Sequence, residues 1–310
     1  MTERTPPSEQ SIVAEQPSEG VAPGVQRIAS ESIPTRDRSP AVLLCRLGGE
    51  IGAKATDETS PRPVGRTVEP LANAVAHFEG YVRLRRDLLW TDRYDRPADR
   101  DAAILAGDYL HAAAYAELAD VPTTDRRAVA LYRTLVRAST TLATTLRSSA
   151  STRETSTAEP DVRPDAILAG TAGSLGATAV GAADDVGAAL ERYGRSLLTA
   201  VDAHPAAVAI ASSAETAHVS EDNGARQTVV QLLSDPLAFD SSTSRDDLPA
   251  PDDQAGQAAT ATLESSLERA RNAVETLEAA TGESAAGRTP LGRLERATRI
   301  PFEDVLESDG

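Results

Sequence analysis

A single cysteine, Cys45, means that no disulfide can form within the chain and no zinc site can rest on a set of thiolates. Aromatic residues make up only 3% of the 310 positions, with one Trp among them. A core built without aromatic mass must come from Ala, Leu and Val, which suit close helix packing better than pleated sheet. Lysine is almost missing: Lys54 is the only one, so nearly every cation is Arg. Long apolar runs are lacking too. The best candidate for a membrane span, residues 166–182, is uncharged but short and thick with Gly, Ser and Thr, as suits a packed internal helix. The first residues, Met1 to Pro7, hold no apolar run of the signal-peptide kind. A soluble, cytoplasmic protein is the expectation.

What the chain has in quantity is acid. Asp and Glu number 47 against 31 Lys and Arg, giving a net charge of −16 and a pI of about 4.7. An acidic, Ala/Asp/Thr/Arg-rich, lysine-poor chain fits a very salty cytoplasm, where the screening length falls to about 3 Å at molar salt. A halophilic origin is expected. No basic stripe is present to neutralise phosphates, so nucleic acid is not expected as a partner.

The apolar pattern has helical spacing throughout and shows no strand alternation. Residues 1–38 are rich in Pro, Ser and Glu and read as a disordered segment holding one short helix near Val21–Ser30. Residues 39–308 read as one helical domain. Pro40 starts a helix that its glycines weaken, and residues 67–90 form a long one, with Leu71, Val75, Phe78 and Val82 on one face. Pro97 marks a loop or a broken helix. Helices follow at 101–119, from Thr124 or Asp125 onward, and at 164–182, 184–212 and 224–235, with Pro205 bending or interrupting the fourth of these. Polar linkers are expected near 148–163 and 238–257. Leu263, Leu267, Ala270, Val274 and Leu277 then trace one last long stripe, before a short element at 290–307.

Four segments resemble the trans-isoprenyl (polyprenyl or geranylgeranyl) diphosphate synthases. AAILAGDYLHAAAYAELADV, residues 102–121, is similar to the helix after that family's first aspartate-rich motif, which typically reads AILAGDxLL. LERYGRSLLTAV, residues 190–201, is similar to the YG-containing helix that leads into the second motif, and the small-residue helix 166–182 precedes it as in the family. RDRSPAVLL, residues 36–44, resembles GGKRxRPxLxLL, and residues 74–90 resemble the helix ending in HDDxxD. All four stand in family order. The implied fold is all-α, a single large helical bundle with a central cavity.

The resemblance implies a chemistry as well: two aspartate clusters hold magnesium on an allylic diphosphate while basic residues clamp it. Position by position, this chain departs from that pattern. Arg86, Asp87 and Trp90 stand at the first cluster, leaving Asp87 alone, and an Arg there repels magnesium and competes for the carboxylate. The diphosphate-binding Arg-Arg-Gly that follows in the family is absent, and the loop is shorter. His204, Pro205 and Ala206 stand where the second cluster should begin. The clamp has become Pro34 to Pro40, with Arg36 as its cation, and the family's Lys-Thr falls near Pro164-Asp165. The adjacent pairs Asp184-Asp185, Asp246-Asp247 and Asp252-Asp253 lack a third carboxylate at helical spacing.

The remnant site positions are therefore Arg36, Asp87, Asp108, Tyr193 and Asp202, with Asp108 in a structural role. Asp92 and Asp95, beside Asp87, are weak metal candidates in a run that is commonly a solvated surface. No catalytic residue and no cofactor is assigned; magnesium enters only if the chain is active. His77 and His111 read as core or groove positions, and Gly170, Gly173 and Gly176 as close helix contacts. A degenerate synthase-like protein is expected: a regulatory or lipid-binding partner that holds an isoprenoid chain and pairs with itself or with an active synthase. Two alternatives stand beside it, a magnesium-dependent prenyltransferase using Asp87, Asp92, Asp95 and Asp108, and a ligand-free helical scaffold.

Overall fold

The computed structural model describes residues 20–56, 63–153, 163–204, 224–234 and 253–303, leaving aside the side chains of 149–153 and 253–256. Among the described residues every regular element is helical: α1 (Pro23–Ser32), α2 (Pro40–Lys54), α3 (Val64–Trp90), α4 (Pro97–Ala119), α5 (Asp125–Arg153), α6 (Pro164–Val180), α7 (Asp184–Ala203), α8 (Gly224–Ser234), α9 (Asp253–Thr281) and α10 (Pro290–Ala297). Two 3₁₀ turns, Arg36–Arg38 and Ile300–Phe302, complete the list. No helix among them is long and apolar enough to cross a membrane.

Local chemistry explains most of the boundaries. The Ser39 hydroxyl accepts the Val42 N–H at 3.1 Å and caps α2, while Pro40 at the first position has no N–H to leave unpaired. Pro97 does the same for α4: it opens that helix and does not break it, so the helix begins four residues earlier than its apolar pattern. α5 runs to Arg153, past the start of the expected linker. Along its polar stretch Thr140, Thr141, Thr144 and Ser148 each donate to the carbonyl four residues back, so their hydroxyls do not compete for the helix N–H groups, and Leu142 and Leu146 remain buried. α6 ends at Gly181, whose φ of 87° is open to glycine; Ala182 N–H then bonds the Ala177 carbonyl at 3.1 Å. α7 stops at Ala203, two residues before Pro205. The rest of the helix expected to 212 lies outside the described residues, as do residues 238–252 of the linker expected at 238–257; its last residues, 253–257, are helical instead, since α9 begins at Asp253.

α6 is the axle of the bundle. It is buried on nearly every face and packs against α2 and α7, with α3 and α5 beside it. Glycine makes that approach possible. A Cβ at Gly48 would meet the Gly173 carbonyl oxygen, and one at Gly176 would meet that of Cys45. The α2 glycines, read from sequence as weakening the helix, therefore set its distance to α6. Cys45, pinned in this contact, is fully buried, and that burial pushes its thiol up to about 12.

Leu263, Leu267, Ala270, Val274 and Leu277 line the buried face of α9, which lies along α7. α1, the short helix of the N-terminal segment, buries Val25, Ile28 and Ala29 against Leu84, Leu88, Ala103, Ala106 and Leu110 of α3 and α4. Truncating such a leucine costs about 2–5 kcal/mol. The start of α2, the second half of α3, the start of α6, the end of α7 and the start of α8 converge in one place.

Candidate functional site

Charge gathers at that convergence. On α3, Glu79 follows Phe78 on the apolar side of the helix and is only 4% exposed. The Ser39 hydroxyl donates to its Oε2, and Arg83, one turn on, lies 3.3 Å from Oε1. Burial raises the Glu79 pKa above the usual carboxylate range, outweighing the opposite pull of Arg83 and of the Ser39 bond. Ser39 thus serves twice, as helix cap and as donor to a buried acid.

One turn beyond Arg83, Arg86 reaches across to α6. Its Nη1 straddles the Asp165 carboxylate, 2.9 Å from one oxygen and 3.1 Å from the other. Arg226 of α8 approaches the same carboxylate from another side at 3.4 Å. The Trp90 ring lies under the Arg86 guanidinium, 5.8 Å from its Cζ to the ring centroid, and helps to orient it. Burial alone would raise the Asp165 pKa, but Arg86 and Arg226 outweigh it and hold the carboxyl at about 2. Burial likewise works against the charge on Arg226, and Asp165, Glu79 and Asp202 reverse that effect.

Asp202, at the end of α7, is less well served. Arg163 stands 3.8 Å away as an ion pair, and the buried Oδ2 has no hydrogen-bond partner. Burial pushes its carboxyl up to about 6, against the pull of Arg163 and with the repulsion of Asp165. Between these groups a gap of about 10 Å³, room for one water, is lined by Glu79, Asp165 and Arg226 together with Pro40, Ala41, Leu168, Ala169 and Leu198. Three of these eight lining residues are ionisable.

The residues singled out in the sequence are mostly dispersed. Arg36 points to Glu69 at 3.3 Å. Asp87 pairs with Arg93 at 3.0 Å, so the neighbour that claims it is not Arg86. Asp108, 59% exposed, pairs with Arg85 at 2.7 Å. Asp92 and Asp95 lie exposed in the turn between α3 and α4. Tyr193 is fully buried and donates to the Leu294 carbonyl at 2.7 Å, tying α7 to α10. Only Asp202 belongs to the interior cluster. Among the described residues no three His, Cys, Asp or Glu side chains come close enough to share a metal ion. Pro205 and Ala206 lie outside the described residues.

Sequence reasoning missed Glu79, Arg83, Arg163 and Arg226. For Glu79 a signal existed, a charge on the apolar stripe of a long helix; for Arg226 there was none. The His111 ring lies 4.8 Å from that of Tyr81 and 5.2 Å from that of Tyr115, and its Nε2 meets Ser139 Oγ at 3.2 Å. His77 is half-buried, with no hydrogen-bond partner at Nδ1.

The chain matches no family model and no curated protein. Its likeness to solved structures is clear. The geranylgeranyl pyrophosphate synthetase of Geoglobus acetivorans matches with a TM-score of 0.55 at 16% identity, over 90% of each chain. The fold is that of the isoprenyl diphosphate synthases. A polyprenyl synthetase of Streptomyces coelicolor A3(2) gives 0.53 at 18% identity, over 90% of this chain and 92% of its own. A geranyltranstransferase of Methanosarcina mazei gives 0.53 at 17%, over 92% and 91%. Identities this low speak for the fold alone.

Proposed function

We infer that this chain is a synthase-like protein that no longer condenses isoprenyl diphosphates and acts in isoprenoid biosynthesis through binding or partnership. One observation carries the reading: Arg86, standing where the first aspartate cluster would begin, is locked on Asp165 at 2.9 and 3.1 Å. The motif resemblance implies a family cation, the lysine of a Lys-Thr pair, near Pro164-Asp165. The two signs have changed places across the site and cancel each other directly, where magnesium and diphosphate would otherwise mediate. Trp90, at another cluster position, holds the arginine in that pose. Guanidinium groups do not ligate metal, and Asp87 and Asp108 are each engaged by an arginine. This donor set does not fit magnesium.

The test is product formation. In molar KCl with Mg²⁺, isopentenyl and allylic diphosphates give no condensation product with the purified chain alone. Its effect appears as altered rate or chain length when an active synthase of the same host is added. Product from the chain alone, lost in Asp87→Ala, would overturn the reading.

A pairing surface supports the partner half of the proposal. Leu105 and Tyr109 on α4 and Val129 and Val136 on α5 are 56%, 37%, 47% and 51% exposed. Around them α4 exposes Asp101 and Asp108, whereas α5 exposes Arg126, Arg133 and Arg137. A twofold arrangement sets the acidic helix of one copy against the basic helix of the other. Self-pairing, or pairing with an active synthase, is proposed for this face, and light scattering of Val136→Glu tests it: a dimer turned monomer supports it.

A further inference from the structure

Away from that convergence, the first half of α3 and the end of α4 carry three polar groups that the bundle leaves short of partners. Asn73 and His77 stand one turn apart on α3, which puts them on one face of the helix. That face meets α4, where Asn73 Nδ2 donates to Glu117 Oε2 across 3.4 Å. This long bond is the only one the Glu117 carboxylate makes among the described residues. Asn73 Oδ1 and His77 Nδ1 are both shut off from solvent, and neither has a hydrogen-bond partner. Burial lowers the His77 pKa, Glu117 pulls it the other way and Arg36 adds to the lowering, so ring and acid stand close enough to act on each other. Arg36 itself is turned to Glu69. A neutral His77 with its proton on Nε2 offers Nδ1 as a bare lone pair. Buried acceptors left without donors are uncommon, and two of them beside an underused carboxylate call for a cause.

We propose that Asn73, His77 and Glu117 form a site for one divalent transition-metal ion of the zinc class, held between α3 and α4 by an imidazole nitrogen, an amide oxygen and a carboxylate. A water has two protons, so it serves two of these three acceptors and leaves the carboxylate's charge untouched; a dication serves all three. The mixed nitrogen and oxygen set selects the metal. Imidazole suits zinc, nickel and copper, whereas the acidic surface of this chain offers oxygen alone and suits magnesium and calcium. Asn73 turns its N–H towards Glu117 because two bare oxygens would repel each other. With a cation between them, a half-turn of the amide presents Oδ1 instead and moves no backbone. Three protein donors leave a coordination position for water or a small ligand, as reactive zinc sites do. The place is separate from the charged interior: His77 precedes Arg86 by nine residues, about 13 Å along α3. It does not depend on the reading that magnesium chemistry is lost.

Zn²⁺ titrated calorimetrically into the full chain, stripped with EDTA and desalted, tests this in molar KCl with millimolar Mg²⁺. The magnesium occupies oxygen-only sites on the acidic surface and leaves the imidazole site to zinc. One Zn²⁺ per chain is expected, bound at least roughly tenfold more weakly in His77→Gln and in Glu117→Gln. His111→Gln, which alters a ring elsewhere on α4, should leave binding unchanged. Circular dichroism follows the fold of each variant, and Zn²⁺ should raise the melting temperature of the native chain but not of His77→Gln or Glu117→Gln. Should either of these fail to fold, copper-catalysed oxidation of the native chain with ascorbate and oxygen takes its place, and peptide mass spectrometry should find the oxidised histidine at His77. No uptake of Zn²⁺ beside Mg²⁺, binding retained in either folded variant, or oxidation that spares His77 would overturn the proposal. None of these outcomes bears on the lost condensation activity, which product formation tests by itself.

Discussion

Two sets of carboxylates stand close together in this bundle and behave in opposite ways. Asp87, Asp92 and Asp95 stand at the end of α3 and in the turn that follows it, and Asp108 midway along α4; two of the four are engaged singly by Arg93 and Arg85, and all but Asp87 are exposed. Glu79, Asp165 and Asp202 lie inside, spread over three helices in the sequence, and their titration is moved in both directions. The outer set is denser along the chain, yet the inner set holds the chemistry. Burial separates them, since a charge pair in water is worth little and a buried one that loses its partner is costly.

The largest expected effect belongs to the inner set. Asp165→Asn leaves Arg86 and Arg226 without their shared partner and should destabilise the fold by about 3 kcal/mol, read from urea unfolding in molar KCl. Asp202→Asn should act the other way. Its carboxyl is lifted from 3.8 to about 6, so the folded state disfavours the ionised form. That penalty is absent below the ordinary value, grows as pH rises between the two, and is complete above the higher one. At neutral pH the variant should gain about 2 kcal/mol, and a pH series should show the gain vanishing towards about pH 4. Asp165 has the reverse sign: its contribution is present at neutral pH and is lost as pH falls from 3.8 towards about 2. Acid unfolding in that window should be steep in the native chain and shallow in Asp165→Asn. The smallest effects belong to the outer set, where Asp87→Ala and Asp108→Ala should each change stability by less than about 1 kcal/mol. A loss at Asp108 as large as that at Asp165 would erase the contrast.

Much of the fold could be read in advance because helices write their period into the chain. The α9 stripe from Leu263 to Leu277 and the small-residue face of α6 were both legible, and Pro40 was read correctly as a helix start. Pro97 misled because the same residue that breaks a helix interior also suits its first position, and only the following turn decides which. The polar tail of α5 misled because hydroxyls that bond back to their own helix look the same in sequence as hydroxyls in a linker. The site was harder. Arg86 and Trp90 were visible as departures from a motif, but not the carboxylate 79 residues away that gives the arginine its role. Arg226 carried no local signal at all. Which distant side chains meet is a property of packing, not of spacing along one helix.

The direct test is a double-mutant cycle on Arg86 and Asp165, using Arg86→Gln, Asp165→Asn and both together, unfolded at low salt and in molar KCl. A coupling of roughly 2 kcal/mol that changes little with salt is expected of an interior pair that has taken the place of metal and ligand. A coupling under about 0.5 kcal/mol, or one that disappears in salt, would mean that the two side chains merely pass near each other at a solvated surface.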